Sequence, residues 1–144
     1  MFEPDRNSLR QMFFSAWRKY QAGSPVEPLE AQLVEIIKQH PEYHALLADQ
    51  EANIERDYSP ELGETNPFLH MAMHLALQEQ VTTGRPAGIA QLYAELVQGS
   101  PDPHEAEHEM MICLAEMIWQ VQQHGTPPDE AAYLDCLRQQ LSRH

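Results

Sequence analysis

Eight histidines occur in this 144-residue chain, and six of them fall in i,i+4 pairs: His40/His44, His70/His74 and His104/His108. On a helix that spacing stacks two imidazoles on one face, with Cβ atoms about 5–6 Å apart, within reach of one metal ion. Random scatter would give about 0.4 such pairs, so three constitute a signal. The third pair lies in His104-Glu105-Ala106-Glu107-His108, which adds two carboxylates in the same turn. With imidazole nitrogen dominant, the donor set suits zinc or iron first, then nickel, cobalt or copper. Magnesium and calcium prefer oxygen.

Whether those rings converge depends on the helices that carry them. Leu9, Met12, Phe13, Ala16, Trp17 and Tyr20 recur with a helical period. They predict a first helix from a cap at Asn7 or Ser8 to about Tyr20, ended at Gly23. A second helix is expected over 27–39, with Leu29, Leu33, Ile36 and Ile37 on one side. His40-Pro41 interrupts it, because the residue before a proline disfavours the α region. Pro41 then opens a short helix through His44, Leu46 and Leu47. Dense turn-formers make 52–66 an ordered loop. Asn66-Pro67 caps and opens a strongly apolar helix to about Thr82, followed by a shorter one over 88–97. Asp102-Pro103 opens the longest helix, to about Gln123, and Asp129 caps a last one to Leu141. No segment alternates with the period of a strand. The expected fold is an all-α, single-domain bundle of about six to seven helices covering residues 1–144.

A helical wheel weighs the histidines. His70 and His74 share a face with Leu77 and Val81, whereas Glu79 and Gln80 point elsewhere. On the longest helix Glu107 falls within the apolar sector of Met110, Leu114, Ile118 and Val121. His104 and His108 lie on its edge, near Met111 and Ala115, while Glu105 and Glu109 face away. A buried imidazole or carboxylate needs a partner or an ion. His70, His74, His104, Glu107 and His108 are therefore the expected metal ligands, with Glu107 either binding directly or orienting an imidazole. Two such helices facing one another in a bundle supply four imidazoles and a carboxylate. His40 and His44 are set aside, because Pro41 separates them and breaks the helix that would stack them. The plainer alternative is that the histidines are polar pairs bonded to carboxylates or backbone.

HEAEH also matches a metallopeptidase signature, HExxH with Glu105 as base or HxxEH with Glu107. Such a cleft uses a strand edge to hold an extended peptide, and the pattern offers no strand. Catalytic residues stay unassigned.

Composition narrows the partners. Twenty-two acidic against nine basic residues give a net charge of −13. That balance argues against a nucleic-acid partner and suits the gathering of cations. No apolar run approaches the ~18 residues of a membrane span. The N-terminus lacks the basic-then-apolar order of a secretory signal. Cys113 and Cys136, far apart and without CxxC spacing, read as reduced thiols of a cytoplasmic protein. No protein partner is legible.

One stretch carries a resemblance. Asn66-Pro67-Phe68-Leu69-His70-Met71-Ala72-Met73-His74 through Gln80 resembles the central motif of an uncharacterised bacterial family, domain of unknown function 1841. His40-Pro41-Glu42-Tyr43-His44 and His104-Glu105-Ala106-Glu107-His108 through Trp119 resemble its other blocks. The resemblance implies a small bacterial cytoplasmic protein and no activity. The residues themselves point to a metal-binding helical protein, serving as a metal-dependent enzyme or in metal or redox handling. The alternative is a non-catalytic, acidic interaction protein with structural histidines.

Overall fold

Prolines and capping residues divide the chain into helices much as their local chemistry dictates. The structure, a computed structural model, describes residues 3–58 and 66–143, with side chains from Asn7 onward. It contains α1 (Glu3–Gln21), α2 (Pro28–Lys38), a 3-10 turn at Pro41–Tyr43, α3 (His44–Leu47) and α4 (Gln50–Asn53). After these come α5 (Pro67–Thr83), α6 (Ile89–Gln98), α7 (Pro103–His124) and α8 (Glu130–Leu141). No strand occurs among the described residues, so the fold is all-α as the periodicity requires. No helix among them is long and apolar enough to cross a membrane.

Two boundaries depart from expectation. Helix α1 begins at Glu3, ahead of the Asn7 or Ser8 cap. A proline is tolerated in a first turn, where its missing N–H has no intrahelical partner to lose. Helix α4 occupies the start of the expected loop, because the Asp49 carboxylate accepts the Ala52 N–H at 3.2 Å and nucleates one turn. The part of that loop over 59–65 lies outside the described residues.

The chain divides into two compact units, Met1–Leu75 and Ala76–His144. In the first, α1 packs on α2. Phe13, Phe14, Ala16 and Trp17 meet Leu33, Val34, Ile36 and Ile37, and Leu47, Phe68 and Met71 complete the cluster. Phe68 sits against both phenylalanines, at ring-centroid distances of 6.2 and 5.5 Å. Lys19 of α1 pairs with Glu30 of α2 at 2.8 Å. Arg10 is buried to 1% exposure, with its guanidinium 4.8 Å from the Phe68 ring. Its Nη1 donates to the carbonyls of Ile54 (3.2 Å) and Arg56 (2.7 Å), pinning the segment after α4 to α1.

In the second unit, α6, α7 and α8 pack on one another. Asp102 caps α7 by accepting the Glu105 N–H at 2.9 Å. Gly125, at φ +62°, ends it in the left-handed conformation that glycine adopts most easily. Tyr133 is buried and donates to Gln80 Oε1 at 2.7 Å. Burial pushes its phenol well above its ordinary pKa. The buried face of α7 comprises Ala106, Glu107, Met110, Met111, Cys113 and Leu114. It stops there: Ile118 is 37% exposed, so the apolar sector expected to continue past Leu114 is only half used.

One expectation is overturned. Cys113 and Cys136 are not free thiols but a disulfide between α7 and α8. The pairing is made by the helical hairpin, which brings residues 23 apart in sequence to a Cα separation of 5.7 Å.

Candidate metal centre

Within residues 1–75 three imidazoles gather around the end of α2 and the start of α5. His40 and His74 are buried, at 1% and 0% exposure, and His70 is partly buried. The His40 ring centroid lies 5.0 Å from that of His70 and 4.9 Å from that of His74. His70 and His74 stand 5.0 Å apart, edge to face, as i,i+4 spacing on α5 demands.

His40 owes its position to the break that seemed to disqualify it. Pro41 forces the chain out of the helix at His40, which takes φ −128° and ψ 66°. Its Nδ1 lies 2.7 Å from the Ile36 carbonyl oxygen. A carbonyl only accepts, so Nδ1 carries the proton and Nε2 the lone pair. That is the usual state of a metal-binding histidine, its other nitrogen anchored to backbone. Tyr43 stacks on the His40 ring at 5.4 Å. His44 turns away: its Nε2 donates to the Ile37 carbonyl at 2.9 Å, and its ring packs on Trp17 at 4.6 Å.

Within residues 76–144, His104 and His108 stand one turn apart on α7 with ring centroids 4.3 Å apart. Both are partly buried. Glu107 is 6% exposed, inside the apolar face as the wheel predicts, and Gln78 Nε2 donates to its Oε1 at 3.3 Å. Burial, and then the charge of Glu107, raise the pKa of the Tyr93 phenol, which places that ring in the same neighbourhood. Glu105 is solvent-exposed, with its Oε1 3.6 Å from His108 Nδ1. That is too long for a hydrogen bond.

One ligand atom from each of His40, His74, His104 and His108 lies within 4.8 Å of the other three, a group compatible with a metal ion. Three of the five expected ligands are in it. His70 and Glu107 are not, and His40, set aside on sequence, is. His40 follows Gln39, the C-cap of α2, and its ring bonds back to the Ile36 carbonyl, a placement set by the helix break rather than by i,i+4 spacing.

Comparison with known proteins adds a family and no activity. A family model described as Domain of unknown function (DUF1841) matches residues 5–139. No curated protein and no solved structure matches the chain.

Proposed function

We propose that this chain, which belongs to the family described as Domain of unknown function (DUF1841), binds one transition-metal ion through His40, His74, His104 and His108. The observation that carries the reading is the mutual approach of those four side chains to within 4.8 Å. Two nitrogens on a tetrahedral zinc at bond lengths near 2.0–2.1 Å lie about 3.3–3.4 Å apart, so ring rotations of roughly an ångström complete the chelate. Four neutral nitrogen donors suit zinc or iron, with nickel, cobalt or copper next. Glu107 and His70 serve as neighbours that orient imidazoles or add negative charge near the ion.

Four imidazoles close a tetrahedral ion and leave open positions on a six-coordinate one. Zinc therefore corresponds to a structural role, and iron to a site that can exchange a ligand. The peptidase reading is the weaker one, because Glu105, its general base in the HExxH form, is solvent-exposed. A second reading, a protein-interaction role, rests on the net charge of −13 and on Ile112 (61% exposed) and Trp119 along α7.

A melting experiment separates the two. Saturating metal at about a thousand times its Kd stabilises a fold by about 4 kcal/mol, or roughly 10 °C in Tm at this size. A chelator is expected to remove that increment. His74→Ala combined with His104→Ala should melt at the same temperature with and without chelator. If the wild-type Tm is also indifferent to chelator and to added zinc or iron, the metal reading falls.

A further inference from the structure

The Cys113–Cys136 disulfide borders a cavity of about 360 Å³ between α7 and α8, closed at one end by the loop that joins them. The two sulfurs are unequally placed: Cys113 is 1% exposed, whereas Cys136 is partly exposed. A nucleophile entering the cavity therefore meets Cys136. Met117, Val121 and Tyr133 supply apolar wall, and the exposed carboxylates of Glu116 and Asp129 stand at the rim. His124, also exposed, lines the cavity too, and no lysine or arginine does.

From this arrangement we propose that the cross-link is a thiol-exchange site, opened by a small neutral or cationic aliphatic thiol, which unlocks α8 from α7. The incoming thiolate attacks Cys136 Sγ and forms a mixed disulfide, while the Cys113–Cys136 S–S bond breaks. Cys113 Sγ leaves with the electron pair and takes a proton from water. A second thiol then attacks the mixed disulfide, releasing Cys136 as its thiol and the small molecule as its own disulfide. Two thiols lose two electrons in total, and the protein disulfide gains them. Burial of Cys113 makes it a slow leaving group, so the site responds to sustained thiol excess rather than to brief exposure.

Charge sets which thiol enters. The thiolate of an aminothiol such as cysteamine is a net-neutral zwitterion, whereas that of glutathione carries two net negative charges toward two rim carboxylates. The site should therefore prefer cysteamine. This does not depend on the metal reading, since every residue used lies in the hairpin.

The test is the rate of disulfide opening in the folded wild-type protein, followed by alkylation quench and peptide mass. Each thiol's rate is normalised to its rate with a small neutral disulfide. At low salt and equal thiolate concentration, cysteamine should react roughly tenfold faster than glutathione, the low end of electrostatic steering. Salt at 1 M, with a screening length of about 3 Å, should reduce the ratio to within about twofold. The first adduct should sit on Cys136. Glu116→Gln changes an exposed residue that accepts a bond from Gln120 of its own helix, and should lower the ratio about two- to threefold. Opening only under denaturant, equal normalised rates for the two thiols, or first capture on Cys113 would each overturn the proposal.

Discussion

His74→Ala is expected to weaken zinc or iron binding by more than about 100-fold, since even residues that merely orient a ligand contribute 10- to 100-fold. His74 belongs to the four-histidine group and is 0% exposed, so no water-facing side chain can replace it. The neighbours give the result its meaning. His70→Ala should weaken binding only about tenfold, as expected for a ring that packs against ligands without being one. His44→Ala should leave affinity unchanged while lowering stability by about 1–2 kcal/mol, through the lost bond to Ile37 and the lost packing on Trp17. Competition titration against a calibrated chelator, with helix content checked by circular dichroism, reads all three. Equal losses for His44 and His74 would mean that the effect is on folding, not on a site.

Arg10→Ala should be the most damaging single change remote from the histidines, with about 3–4 kcal/mol of stability lost. Charge-assisted bonds contribute about 1.5–3 kcal/mol and a desolvated cation over an aromatic ring about 2 kcal/mol, non-additively. Arg10 is buried and donates to the carbonyls of Ile54 and Arg56, which the alanine variant leaves without that donor. Arg10→Met, which keeps the stem and removes the donors, should recover less than half of the loss. Urea midpoints at unchanged m-value provide the check. A loss below about 1 kcal/mol would show that water replaces the guanidinium at those carbonyls.

Much of the fold was legible because its punctuation is local. Pro28, Pro67 and Pro103 stand in first turns, Asp102 and Asp129 accept N–H groups as caps, and Gly125 takes the positive φ that ends α7. The burial of Glu107 and His74 followed from the helical period alone. What the period could not supply was long-range geometry. Whether Cys113 meets Cys136 depends on how α7 and α8 pack, and neither helix records it. The role of His40 depends on a helix being broken, the condition that made its pair look unusable. The exposure of Ile118 reflects an apolar sector longer than the surface that covers it. The family blocks seen in the sequence proved a sound guide to membership, since the matching model spans residues 5–139. They are silent on chemistry.

The most direct measurement of the central claim is elemental analysis of protein purified, without an affinity metal column, from cells grown in medium supplemented with zinc and iron. A single four-histidine site predicts about one equivalent of one transition metal per chain, falling below a tenth of an equivalent in His74→Ala combined with His104→Ala. Less than a tenth of an equivalent of any transition metal in the wild-type protein, unchanged after incubation with zinc or iron and desalting, would contradict it.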